Sequence, residues 1–197
     1  MELGRRKLAL FIGEPISVED RGMRGKRTFG NRPRRQADAV QATDPQAARM
    51  AIFALLARRD FCIAEVTSQL AERGYAASAI EQAVAGFVEE RLLDDARYAE
   101  HYVHAHARRG QGPRRIRQDL LAAGLPEALA DEALAAGQDW AALARDLRHR
   151  KFGAEPPADW PERARQMRFL QYRGFSNDHI RSALGSSGAD EPFDTDP

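Results

Sequence analysis

The segments Leu70-Ala71-Glu72-Arg73-Gly74-Tyr75, Leu120-Leu121-Ala122-Ala123-Gly124-Leu125 and Leu170-Gln171-Tyr172-Arg173-Gly174-Phe175 repeat one pattern at intervals of fifty residues. Ala83, Ala133 and Ala183 keep the same spacing, as do the similar columns Ile80, Ala130, Ile180 and Val84, Leu134, Leu184. Glycine makes up about 7% of an average chain, so a three-way match at one position is improbable by chance. Several such columns within fifteen positions mark a tandem repeat of one supersecondary unit. A leucine four residues before glycine suits the apolar face of a helix that a left-handed glycine then stops, and the apolar residues ten and fourteen past leucine suit a second helix.

Working outward, the pattern predicts three helices per unit. The first unit holds 48–56, 63–73 and 77–92, the second 95–108, 113–123 and 126–136, and the third 140–150, 161–173 and 177–184. Pro113, Pro126 and Pro161 fit first-turn positions, Ser176 fits an N-cap, and Ser78 with Glu81 has capping-box spacing. The expected fold is all-α: tandem three-helix repeats over 45–94, 95–138 and 139–187 that stack into an elongated, curved array. A mostly disordered basic arm (1–44) and an acidic tail (188–197) are expected to flank it. The repeated apolar residues are then core, and function falls to exposed residues.

Composition agrees. The 197 residues are 43% hydrophobic and only 8% aromatic, with few β-branched strand formers, which argues against an all-β fold. The one cysteine, Cys62, excludes an intramolecular disulfide and a Cys-rich zinc site. No apolar stretch has the length of a membrane span or a signal-peptide core. A cytoplasmic protein without a membrane partner, acting as a monomer, is expected.

The net charge of +1 hides a partition. Seven basic residues and no acids lie between Arg21 and Arg35, and the tail carries Asp190, Glu191, Asp194 and Asp196 with no base. Residues 45–94 hold five bases against seven acids, whereas 97–181 hold fifteen against eleven. The densest cluster is Arg108, Arg109, Arg114, Arg115 and Arg117 around Gly110-Gln111-Gly112-Pro113, a loop feeding a helix start. Guanidiniums, free N–H groups and the helix dipole suit a phosphate or carboxylate there. Arg145, Arg148, Arg150 and Lys151, with Arg163, Arg165, Arg168 and Arg173, could extend the surface; ion pairs on a solvated face are the alternative. Arg58-Arg59 and Arg108-Arg109 also share the fifty-residue spacing.

Leu92-Leu93-Asp94-Asp95-Ala96-Arg97-Tyr98-Ala99, then Arg109-Gly110-Gln111-Gly112-Pro113-Arg114-Arg115-Ile116, resembles the RecX family of bacterial recombination regulators. Ala54-Leu55-Leu56-Ala57-Arg58-Arg59 and Leu70-Ala71-Glu72-Arg73-Gly74 resemble its opening unit. The resemblance covers 45–187 and leaves out the arm and tail. It implies a non-enzymatic protein that binds the RecA nucleoprotein filament on single-stranded DNA and damps ATPase, strand exchange and coprotease activity. Direct contact with single-stranded, and also double-stranded, DNA is part of that implication. On this reading Asp94 and Asp95 cap or brace the junction of units one and two, with Arg97 as ion-pair partner and also among the candidate contacts with filament or DNA. Arg108, Arg109, Arg114 and Arg115 are the leading candidates for filament or DNA contact. Cys62 stands where many relatives have a serine at the helix start, and a packed, inert thiol is expected.

Catalytic patterns are lacking: there is no Gly-x-x-x-x-Gly-Lys-Ser/Thr loop, no dinucleotide fingerprint after a strand, no Gly-x-Ser-x-Gly and no His-Glu-x-x-His. His101 and His104 share a helix face, but His106 points elsewhere, so no metal or other cofactor is expected. Three function classes remain: a regulator of the recombinase filament, a helical repeat protein acting mainly on nucleic acid, and a scaffold whose array binds helical peptides.

Overall fold

The computed structural model describes residues 38–185. The basic arm before residue 38 and the acidic tail lie outside them. All described residues belong to a single packing unit. They form α1 (Ala39–Ala42), α2 (Pro45–Leu56), α3 (Ile63–Ala71), α4 (Ala77–Glu89), α5 (Asp95–Arg108), α6 (Pro113–Ala122), α7 (Glu127–Ala135), α8 (Trp140–Phe152), α9 (Trp160–Tyr172) and α10 (Asn177–Leu184). No strand occurs among the described residues, and helices α2 to α10 make three tandem triplets. The single turn α1 lies in the segment assigned to the arm; its Ala42 carbonyl accepts from Ala76 N–H, the N-cap residue of α4, at 2.7 Å.

Local chemistry sets most helix starts. Asp44, Asp94, Asp139, Asp159 and Ser176 are N-caps whose side-chain oxygens accept first-turn N–H groups at 2.9–3.3 Å. Two expected signals fall elsewhere. Ser78 lies inside α4, whose N-cap is Ala76 with no side-chain cap, and Pro126 is itself the N-cap of α7. Helix α4 also stops at Glu89, short of the expected Leu92, because Arg91 adopts a left-handed φ of 55°. That conformation is costly for a residue with a Cβ. Arg97 braces the turn by donating to the Arg91 and Leu92 carbonyls at 3.1 and 3.3 Å.

The repeated leucine and glycine have one geometry in all three units. Tyr75, Leu125 and Phe175 donate their N–H groups to the carbonyls of Leu70, Leu120 and Leu170, each at 3.2 Å. The intervening Gly74, Gly124 and Gly174 have φ values of +87°, +94° and +90°. This is a six-to-one helix closure that only a left-handed residue permits. Leu70, Leu120 and Leu170 are fully buried, each in its own unit's core. The first core includes Ile52, Val66 and Phe87, the second Tyr98, Val103 and Ile116, and the third Ala144, Phe175 and Ile180.

Neighbouring units meet by a repeated joint: the start of one unit's middle helix rests on the glycine stop of the next unit's middle helix. In the first joint Cys62 is buried in the second core, and its thiol donates to Ala123 O at 3.3 Å. Burial pushes that thiol up to about 11, so it stays protonated and poorly nucleophilic at neutral pH. Cys62 is a poor cap for α3, and Asp95 supplies one from the next unit by accepting from Ile63 N–H at 2.8 Å. In the second joint Gly112 N–H donates to Arg173 O at 2.7 Å and Arg114 N–H to Gly174 O at 3.1 Å. A Cβ at Gly112 would stand 2.4 Å from the Gly174 carbonyl carbon and the Phe175 nitrogen. One at Gly174 would stand 2.5 Å from Arg115 Cβ, and one at Gly124 2.6 Å from Ala64 Cβ. The second and third glycines of the repeat therefore both stop a helix and admit the preceding unit.

Candidate nucleic-acid and partner interface

What each guanidinium touches sorts the cations of units two and three. Arg117 makes a two-point pair with Asp131, Nε to Oδ1 at 2.6 Å and Nη2 to Oδ2 at 3.1 Å. The pair raises the Arg117 pKa and lowers that of Asp131. Arg145 donates to Ser182 Oγ at 2.8 Å. Arg148 is only 3% exposed and donates to Gln166 Oε1 at 2.9 Å, to Ala154 O at 3.2 Å and to Glu155 O. It anchors the loop between α8 and α9 from inside, because a buried guanidinium must spend its donors on acceptors. The sequence reading groups Arg97, Arg117, Arg145 and Arg148 with the binding cations. The structure commits all four to internal partners, and it buries Arg148 away from any surface. Arg97 also departs from its expected ion-pair role: its backbone N–H is capped by Asp94 while its guanidinium holds carbonyls.

The others remain at the surface. Arg108, Arg109, Arg114, Arg150, Lys151 and Arg168 are exposed and have no salt bridge among the described residues. Arg173 is half-buried, with its guanidinium 5.5 Å from the Phe169 ring centroid. Arg115 is half-buried, and its Nε is enclosed without a hydrogen-bond partner. The repeat shows what this means. In unit one, Arg59 pairs with Glu65 at 3.0 Å and lies 3.7 Å over the Phe61 ring. The positions fifty residues on are Arg109 and Arg115, so a closed pair in unit one becomes two cations in unit two. The same fold is built with the neutral arrangement next door, so folding does not require this excess of charge.

Arg114 and Arg115 line a groove of about 510 Å³ at the second joint, with Gln118 and Asp119 beside them on α6. Gln171, Tyr172, Phe175 and Asn177 form its other side. Tyr172 is 79% exposed. The sequence reading missed Tyr172 and the three amides, although one signal was present: the repeat has Glu72 and Ala122 where unit three has an aromatic ring.

Asn177 opens α10, whose start is a full capping box: Ser176 Oγ accepts from His179 N–H at 3.3 Å, and His179 Nδ1 accepts from Ser176 N–H at 3.4 Å. Burial lowers the His179 pKa, and nearby Arg114 lowers it further against the opposing pull of Asp178 and Asp139. The folded state thus binds fewer protons than the unfolded one. Stability present above the ordinary imidazole value of about 6.5 is lost as pH falls through the lowered one. The thermal midpoint is expected to drop on acidification from pH 7.5 to 5, and His179→Gln, which keeps a box acceptor, to flatten that drop. An unchanged slope in the variant would assign the pH dependence to other groups.

Among the described residues no group of three potential metal ligands occurs, and no helix is long and apolar enough to cross a membrane. Fold and site together define a tandem three-helix repeat protein with unpaired arginines around a groove between its second and third units.

Comparison with known proteins gives this class its family. Residues 94–134 match the family model for the second three-helix domain of RecX, and 138–184 match that for the third. The chain is 42% identical over 147 residues to the regulatory protein RecX of Halorhodospira halophila, covering 74% of this chain and 91% of that one. It is 41% identical over 141 residues to that of Vibrio parahaemolyticus, with 71% and 91% covered. The crystal structure of RecX from Lactobacillus salivarius superposes with a TM-score of 0.63 at 20% identity, covering 72% of this chain and 94% of that one. The chain belongs to the RecX family of regulatory proteins.

Proposed function

We propose that this protein regulates the RecA recombinase by binding its nucleoprotein filament on single-stranded DNA, lowering ATP hydrolysis, strand exchange and coprotease activity. It acts as a cytoplasmic monomer through binding alone, without chemistry or a cofactor of its own. The observation that carries the reading is the set of unpaired arginines, Arg108, Arg109, Arg114 and Arg115, gathered around the second joint of a RecX-family chain. A filament offers phosphodiester and protein together, and a guanidinium binds phosphate and carboxylate alike. The effect on the filament is set by the difference in affinity for filament and free subunits.

Titration into RecA assembled on single-stranded DNA, with ATP hydrolysis followed, is expected to give inhibition below one protein per RecA subunit. Unchanged hydrolysis at stoichiometric excess would overturn the reading. The unpaired cations also favour a second one, a repeat protein acting mainly on bare nucleic acid. Salt separates the two, since five phosphate contacts give a log–log slope of about −4 to −5 on duplex and a shallower one on single strands. A filament complex held by protein contacts depends less on salt.

A further inference from the structure

We infer that the groove at the second joint is a subsite for one unstacked base of a single strand, with Tyr172 as the platform on which that base stacks. The inference rests on the nucleic-acid contact proposed above and adds a residue and a strand preference to it. Tyr172 projects from the end of α9 with 79% of its surface in solvent, although burial of a large aromatic is normally favourable. Arg114 and Arg115 stand on the groove's other wall. Arg168, exposed and without a salt bridge among the described residues, precedes Tyr172 by four residues and so shares its helix face. An aromatic face between cations is the pairing that single-strand sites use, with the ring taking a base and the guanidiniums the phosphates.

The remaining lining decides between occupants. An acidic peptide would call for cations alone, whereas the groove also presents the amides of Gln118, Gln171 and Asn177 and the carboxylate of Asp119. Amides offer both donors and acceptors, which matches the polar edge of a base; Asp119 would repel an acidic side chain and can accept from a base N–H, such as the ring N–H of thymine. A stacked duplex keeps its base faces covered and so cannot use the platform.

The test compares full-length wild type with Tyr172→Ala, Tyr172→Trp and Tyr172→Leu, using a twelve-nucleotide oligothymidylate, a duplex of equal length and a glutamate-rich peptide. Because Tyr172 is exposed, all variants are expected to melt like wild type. Tyr172→Ala is expected to weaken oligothymidylate binding about tenfold, with the tryptophan variant retaining affinity, the leucine variant resembling alanine, and duplex binding unchanged. Equal loss on duplex and single strand, or no loss on either, would overturn the stacking site while leaving the nucleic-acid reading standing. Wild type that binds the peptide but no oligonucleotide would overturn both.

Discussion

Replacing Gly112 with alanine is expected to lower stability by about 3 kcal/mol and to uncouple the third unit from the second. The reason lies outside the residue's own backbone preference, because Gly112 has φ −87° and ψ 166°, which alanine adopts freely. Its added methyl would instead stand 2.4 Å from backbone atoms of Gly174 and Phe175, neither of which can swing aside like a side-chain tip. Relief requires the units to separate, and separation stretches the bonds from Gly112 N–H to Arg173 O and from Arg114 N–H to Gly174 O. Gly137 is the control: its φ is +76°, but a Cβ there meets nothing within 4 Å. Gly137→Ala should cost about 1 kcal/mol, by conformation alone. Urea unfolding followed by circular dichroism distinguishes them, the Gly112 variant showing an earlier, broader or biphasic transition. A midpoint matching wild type would show that the joint yields freely and does not hold the units together.

The second large effect concerns binding. Changing Arg108, Arg109, Arg114 and Arg115 together to alanine is expected to weaken single-stranded DNA affinity on the order of a hundredfold at low salt. It should also flatten the log–log salt slope by about 3, one counterion contribution of about 0.7 per lost phosphate contact. Helical content should survive, since these arginines have no salt bridge among the described residues that folding would lose. The matched control is Arg117→Ala. It lies in the same cluster by sequence, but its guanidinium is held by Asp131, so its removal should change affinity less than threefold or so, in line with a surface pair. Equal losses from Arg117→Ala and from any single exposed arginine would show that charge density, rather than availability, governs binding. If the fourfold variant still inhibits RecA ATP hydrolysis like wild type, the cluster has no part in the mechanism.

Arg148 shows most clearly where linear reading stops. In sequence it stands among Arg145, Arg150 and Lys151 and looks like one more surface cation. In the fold it is 3% exposed, because the loop after α8 turns back and offers the Ala154 and Glu155 carbonyls, with Gln166 from α9 beside them. Nothing local announces those acceptors. Tyr172 errs in the other direction: it reads as an ordinary aromatic of an amphipathic helix and proves to be exposed on a groove that α6 and α9 create together. Arg91 ends α4 early for a reason of the same kind, since its left-handed turn is braced by Arg97 from the following unit.

The periodic part of this protein is legible in its sequence: three triplets of helices, their buried leucines, the left-handed glycine stops and the cap at Ser176. Each depends on interactions within about six residues, so spacing and residue type carry the information. Packing between units settles how Gly112 and Gly174 meet, that Asp95 caps a helix of the preceding unit, and which arginines remain free for a partner. Those outcomes depend on donors and acceptors from different units meeting in space. A guanidinium satisfied internally and one left open are the same letter in the chain.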